Sequence, residues 1–350
     1  MTRDLQTLFG IDTPIVLGPF GGMSSVALTA SVSQAGGLGS FGLYGYSGER
    51  IRETAAALQA ATTRPFALNL WLPTGDEVSP GDVDLAAARE AVAPLLEAAR
   101  VEAQPPLPAA FLPSLEEQLD AVWDAAPAVL SVVFGVPDAT VVDEAKRRGI
   151  RVVGTATSVA EAVALADGGV DAIVASGAEA AGHRVSFLSR AEDSLVGTIA
   201  LVPQVVDAVD VPVIAAGGIA DRRGVAAAFA LGAAGAQVGS AFLRTRQSAA
   251  SEAHREALRS AADTDTVLTR AMSGRLARGI PNRAVRTIEA MGAIAPFPAQ
   301  NWLTASFRSA APGDGDLVSL WAGQAAGLSR SDDAGEVFAE LAAGLPAASR

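Results

Sequence analysis

The chain reads as an α/β protein: a (β/α)8 TIM barrel carrying an inserted and C-terminal, mostly helical substrate subdomain. Three observations predict this. Eight short apolar runs occur at residues 15–17, 37–41, 66–70, 129–134, 151–154, 172–175, 213–216 and 236–239. They are continuous rather than alternating, as parallel strands buried on both faces are. Ala-rich helical stretches separate most of them, at 26–34, 48–61, 85–100, 139–148, 159–166, 201–208 and 222–231. Eight such units within about 240 residues match the size of a closed barrel. The competitor, an open doubly wound sheet, usually has fewer strands, and no early Gly-x-Gly-x-x-Gly turn of the dinucleotide type is present.

Helix starts agree with this division. Ser158 precedes Val159-Ala160-Glu161, and Asp221 precedes Arg222, both in the N-cap position. Residues 225–243 carry no charge and are long enough to span a bilayer. They are mostly Ala and Gly, with Gly232 and Gly235 in the middle and Gln237 and Ser240 near the end. A buried helix followed by a buried strand is the expectation. Residues 71–84 and 104–114 are Pro-rich and read as irregular, around a long third crossover. Residues 251–313 follow the eighth run, opening with a charged helix at 252–262 and closing with 301–311. Long rim insertions tend to form lids or substrate walls. Residues 317–328 and 334–343 read as helices that pack back on the barrel. The expected division is a barrel at 1–248, a lid or substrate subdomain at 249–313, and C-terminal helices at 314–350.

Composition excludes several classes. Half of the 350 residues are hydrophobic, which excludes a disordered chain. The absence of Cys excludes disulfides, zinc–thiolate and Fe–S sites and a thiol nucleophile, and no metal site is expected. With 38 acidic against 26 basic residues, the net charge of −12 gives no electrostatic footprint for nucleic acid, and an anionic membrane surface repels it. Residues 1–10 lack the apolar run of a signal peptide. A soluble, cytoplasmic monomer or homodimer is expected.

In such a barrel the chemistry lies at the C-terminal ends of the strands. After the first run comes Gly18-Pro19-Phe20-Gly21-Gly22-Met23, where glycines let a flat ligand approach the backbone or simply form a tight turn. After the third comes Asn69, an amide suited to a heteroaromatic ring edge or to an Asx turn. Ala215-Ala216-Gly217-Gly218-Ile219 follows the seventh, and Gln237-Val238-Gly239-Ser240-Ala241 the eighth, each leading into a helix. Backbone N–H groups, helix dipoles and the Ser240 hydroxyl favour a phosphate there over plain helix capping. After the sixth comes Ser176-Gly177-Ala178-Glu179-Ala180-Ala181-Gly182-His183-Arg184. His183 sits in the presumptive mouth, with an unperturbed pKa suited to proton transfer. The other histidine, His254, lies in a charged helical stretch and reads as a solvated surface residue.

These pieces resemble the nitronate monooxygenases, formerly 2-nitropropane dioxygenases. The resemblance runs from Pro14-Ile15-Val16-Leu17-Gly18-Pro19 through Ala67-Leu68-Asn69-Leu70, the 170–184 segment, 211–219 and 235–243. It continues in Ser273-Gly274-Arg275-Leu276-Ala277-Arg278-Gly279, Pro298-Ala299-Gln300-Asn301 and Leu320-Trp321-Ala322-Gly323-Gln324, which look like the first class of the family. It implies an FMN-dependent enzyme oxidising alkyl nitronates, and in some cases nitroalkanes, with dioxygen to a carbonyl compound and nitrite. It implies that Gly217, Gly218, Gly239 and Ser240, with Gln237 and Val238, hold the FMN phosphate. Gly21 and Gly22, Asn69, Ser176, Ala181 and Gly182 would lie at the flavin ring. His183 matches the catalytic histidine, acting as a base on nitroalkanes or, protonated or as a neutral donor, on the nitronate. Departures from the family pattern fall at Leu17 and Ser176, where Gln is common, and at Ala181, Val185 and Phe297, which replace two Gly and a Tyr.

Three other readings share parts of this pattern. An NAD(P)H-dependent quinone or enoyl-thioester reductase uses the same scaffold, but Thr155 stands where some relatives carry Lys. A flavin or phosphosugar binding protein without catalysis, and a flavin-free isomerase barrel, are the others.

Overall fold

The computed structural model describes residues 4–347. The described residues form eleven strands: β1 Ile15–Leu17, β2 Gly39–Gly42, β3 Phe66–Trp71, β4 Val129–Val133, β5 Arg151–Ala156, β6 Ala172–Ser176, β7 Gly182–His183, β8 Val213–Ala216, β9 Gly235–Val238, β10 Val267–Thr269 and β11 Ala277–Gly279. Eight form one parallel sheet, in the order β1-β9-β8-β6-β5-β4-β3-β2. A parallel bridge between Val16 and Leu38 joins its two edges. There Leu17 N donates to Leu38 O (2.9 Å) and Leu38 N to Ile15 O (3.0 Å), so the sheet is a barrel. Each expected run lies on a strand, with ends shifted by a residue or two.

Side chains alternate across the barrel wall because strand periodicity is two. Ile15, Leu17, Leu68, Leu70, Ile173, Ala175 and Val238 face the surrounding helices in the main core. Val16, Ala67, Val129, Val153, Ala172 and Val174 face inward and pack with Leu5, Phe9 and Ile11. The short helix Leu5–Phe9 thus plugs the bottom of the barrel, N-capped by Asp4. Towards the strand C-termini the inward positions turn polar: Asn69, Ser131, Thr155, Ser176 and Gln237. A dry lower half and a polar upper half are what a barrel with a site at its C-terminal mouth requires.

The uncharged stretch 225–243 is a helix (Arg222–Ala230), β9 and a single turn (Ser240–Leu243). Among the described residues no helix is long and apolar enough to cross a membrane. The charged helix after the barrel is Glu252–Ser260, the expected helix at 334–343 appears as Ala334–Ala342, and the segment 301–311 lies in the helix Ala299–Ala310. One helix expectation is corrected. Residues 317–328 are irregular: Leu317 and Val318 close a turn on Asp314 O, Trp321 is bridged to Gly279, and a short 3₁₀ turn follows at Ala326–Leu328. Gly323 explains this: a Cβ there would lie 2.8 Å from Glu179 O, so the backbone is pressed flat onto the barrel rim. Elements without an expectation include the helices Leu5–Phe9, Leu115–Ala125 and Arg283–Met291 and the antiparallel sheet β10-β11-β7.

Candidate active site at the barrel mouth

A cavity of about 380 Å³ opens at the strand C-termini. Gly21, Gly22, Asn69, Ser176, Ala181, Gly182, His183, Gly217, Gly218, Gln237, Gly239 and Ser240 all line it. Val238 does not, because its side chain points outward into the helix layer. Leu17 faces outward in the same way, so this departure lies away from the cavity wall. Asn69 donates through Nδ2 to Ser131 O (3.3 Å) and Oγ (3.1 Å), which leaves Oδ1 as an acceptor.

The rim after β8 and β9 is built for close approach. Gly217 has φ +104° and Gly218 φ +71°, and a Cβ on Gly217 would lie 2.9 Å from Thr198 Oγ1. Thr198 fixes the neighbouring loop: its N–H donates to both Glu179 carboxylate oxygens (3.0 and 2.9 Å), and its hydroxyl lies 2.9 Å from Glu179 Oε2 and from Gly217 O. Ser240 Oγ accepts from Gly323 N (2.9 Å), which leaves its O–H free to donate. Among the described residues no acceptor meets the N–H groups of Gly218, Gly239 and Ser240. This neutral donor set suits a phosphate.

The expected helix dipoles do not contribute. The helix after β9 is one turn long, and the Asp221 carboxylate already accepts from Arg223 N (2.9 Å) and Gly224 N (3.3 Å) at the start of the other. The rim therefore works through individual N–H groups.

His183 is held from two directions. β7 pairs with β11, His183 opposite Ala277 and Gly182 opposite Arg278. His183 Nε2 lies 2.8 Å from Ser273 Oγ, which in turn lies 3.2 Å from Arg275 O. A carbonyl only accepts, so the fully satisfied chain runs Nε2–H to Oγ and Oγ–H to Arg275 O. Nδ1 then carries the imidazole lone pair. Burial pushes the His183 pKa down to about 3, and the charges of Arg275 and Arg308 push the same way. Burial and the two arginine charges thus favour the neutral imidazole over the protonated form.

The segment 273–279 exists to brace this loop. Besides Ser273, Arg278 Nε donates to Ala178 O (2.8 Å). Arg184, next to His183, sends its guanidinium to the carbonyls of Ser176 (2.6 Å), Gly177 (2.9 Å) and Ser194 (2.7 Å). Arg275 pairs with Asp76 (2.5 Å) and Glu77 (2.7 Å) and lies over the Phe297 ring, 4.0 Å from its centroid.

The wall opposite the rim is aromatic. Trp71 meets His183 edge-on at 4.9 Å and Tyr44 at 4.3 Å between ring centroids, and Trp321 lies 5.4 Å from His183. Tyr44 OH accepts from Asn301 Nδ2 (3.2 Å), and burial raises its pKa well above the ordinary value. Arg308 closes this wall: one Nη2 donates to Asn301 O (2.9 Å) and Oδ1 (2.8 Å). Val185 is buried and lines the cavity, whereas Phe297 is buried behind the wall.

His254 overturns its expectation. It is 2% exposed, and Nε2–H donates to Trp321 O (2.9 Å). Burial lowers its pKa to about 4. The charged residues around it lie on the outer helix face, and His254 fixes the backbone of the tryptophan that faces His183. Tyr44, Trp71, Ser273, Arg308 and Trp321 are cavity or near-cavity residues that sequence reasoning missed. Two of them, Ser273 and Trp321, lay in motifs already noted, which was the available signal.

The chain is similar to known proteins along nearly its whole length. A family model described as nitronate monooxygenase matches residues 3–344. A probable nitronate monooxygenase of Staphylococcus aureus is 38% identical over 346 residues, covering 96% of this chain and 95% of that protein. A crystal structure of nitroalkane oxidase from Streptomyces ansochromogenes superposes with TM-score 0.86 at 34% identity, covering 98% of this chain and 97% of that one. FabK from Thermotoga maritima follows at TM-score 0.74 and 28% identity, covering 97% and 94%. With a match over nearly its whole length, an aromatic-walled mouth and a braced histidine, the chain belongs to the nitronate monooxygenase family.

Proposed function

We propose that this protein is an FMN-dependent enzyme that oxidises alkyl nitronates, and nitroalkanes after deprotonation, with dioxygen. The observation that carries the proposal is the juxtaposition, in one cavity, of a neutral donor rim and a neutral, aromatic-flanked His183. In this reading Gly217, Gly218, Gly239 and Ser240 hold the FMN phosphate through N–H and O–H donors. Gly21, Gly22, Ser176, Ala181, Gly182 and Gln237 flank the ring, and Asn69 Oδ1 accepts a ring N–H. The flavin, when bound, supplies the electron-accepting chemistry.

The protein's own residues orient substrate and manage its proton. Trp71, Trp321 and Val185 exclude water from the substrate side. Nδ1 of His183 takes the α-proton of a neutral nitroalkane, because Nε2 is committed to Ser273. For a nitronate, which has already lost that proton, His183 orients rather than abstracts. The test is oxygen uptake and nitrite release on ethylnitronate and on nitroethane by purified protein. Turnover of either supports the reading; absence of both from flavin-loaded protein rejects it.

A further inference from the structure

A nitronate brings a negative charge into a cavity walled by Trp71, Trp321 and Val185, and His183 is neutral there. An uncompensated charge in such a place is strongly penalised. The positive side chains around the site differ in their partners. Arg275 is neutralised by Asp76 and Glu77. Arg184 and Arg278 are committed to backbone carbonyls. Arg50 lies at the outer edge of the cavity, stacked over Tyr46 with its guanidinium 3.8 Å from the ring centroid.

Arg308 differs from all of these. Like Arg50 it lines the cavity without a carboxylate partner among the described residues, but Arg50 is solvent-exposed and Arg308 is not. Only its Nη2 is engaged, on Asn301; Nε is buried with no acceptor, and no protein group meets Nη1. It remains a cation at neutral pH, its pKa lowered by burial only to about 10. Asn301 and Tyr44 fix its direction, through the hydrogen bonds that link guanidinium, amide and phenol. A buried guanidinium left without an anion is costly to fold and marks the place where an anion is received.

We infer that Arg308 is the specificity-determining residue of this cavity, its free guanidinium N–H groups receiving one oxyanion of the substrate. The class of ligand is a small planar oxyanion, either the nitronate group itself or a carboxylate at the other end of the same molecule. This rests on the proposed nitronate chemistry for its physiological meaning, but its test does not.

The experiment compares the flavin-loaded wild type with Arg308→Met and Arg308→Lys. Inorganic nitrate, a planar oxyanion that does not react, is titrated by calorimetry. Ethylnitronate, propionate 3-nitronate and neutral nitroethane are compared in steady state. Arg308→Met is expected to weaken nitrate binding and to lower kcat/KM for a nitronate by roughly 100-fold, as loss of a charge-assisted contact does. Nitroethane enters neutral and becomes an anion only once His183 takes its proton, so its KM should change little while its kcat falls, and Arg308→Lys should recover part of the loss. Loss on both nitronates assigns the contact to the nitronate group; loss confined to propionate 3-nitronate assigns it to the carboxylate. If no nitronate is oxidised by any variant, the catalytic reading fails while the nitrate titration still decides this one. Unchanged nitrate affinity in folded Arg308→Met overturns the inference. So does release of flavin from that variant, which would mean the guanidinium serves the cofactor. Should Arg308→Met not fold, Arg308→Gln is read by the same criteria.

Discussion

The two sides of the cavity are built in different ways. The rim of Gly217, Gly218, Gly239 and Ser240 lies within a few residues of the strands that carry it, and its donors are backbone groups. The facing wall gathers Tyr44, Trp71, Asn301, Arg308 and Trp321 from segments up to 277 residues apart in sequence, and it works through side chains. The rim can be assembled by local backbone geometry alone. The wall exists only once the chain beyond the barrel has packed. The difference teaches that cofactor capacity comes with this barrel, whereas substrate choice is set by what is laid across it.

Substitutions can separate the two sides. The largest effect is expected at His183. His183→Asn should lower kcat/KM for nitroethane by about 10²–10⁴, the usual contribution of a general base. Flavin content should stay at the wild-type level, and a parallel loss of flavin would merge the two sides. Next is the rim. Gly217→Val puts a β-branched residue at φ +104° with a Cβ 2.9 Å from Thr198 Oγ1. Such strain costs on the order of 1–3 kcal/mol, so FMN affinity should fall by about 10- to 100-fold, measured by fluorescence of released flavin.

Smaller effects test the bracing. Ser273→Ala removes the partner of Nε2 and frees the imidazole to change tautomer and rotate. A decrease of roughly tenfold in kcat on nitroethane is expected, for a group that positions a base rather than reacting. The pH profile distinguishes this from a structural defect. With Nε2 held and the ring buried, the wild-type profile for nitroethane should lack an inflection near the ordinary histidine value of 6.5, and the variant should move towards one. Stability follows the same histidine. Its folded pKa of about 3 lies below the ordinary 6.5, so the unfolded chain takes up the proton first as pH falls. Its effect is therefore a loss of stability between about pH 6.5 and pH 3, with none above that range. The smallest expected effect is His254→Leu, which leaves Trp321 O buried without its donor. A loss of about 1–3 kcal/mol is expected in denaturant unfolding, with a lesser change in substrate KM.

How much of this was legible follows the same division. The eight strands announce themselves as uninterrupted apolar runs, because both faces are buried. The glycines after β8 are legible because Gly217 and Gly218 take positive φ values that other residues rarely adopt. The Ser176–Arg184 loop marks itself by a histidine among small residues. What stays hidden depends on distant partners. β7 is two residues long and exists through pairing with β11, nearly a hundred residues later. His254 looks solvated because its sequence neighbours are charged, yet the helix turns it inward to Trp321. Residues 317–328 carry helical composition, but the close approach of Gly323 to Glu179 O keeps them out of a helix. Arg308 resembles any arginine near a helix end. Its role depends on what is missing around it, which no local pattern records.

The central claim is that this mouth holds FMN against a neutral His183 and passes electrons to it from a nitronate. The visible spectrum of the purified protein, recorded anaerobically before and after ethylnitronate, tests it most directly. The account predicts an FMN spectrum with about one flavin per chain, bleached by the nitronate and restored by air. A colourless protein that cannot be loaded with FMN, or a flavin bleached by NADPH and untouched by nitronate, would contradict it.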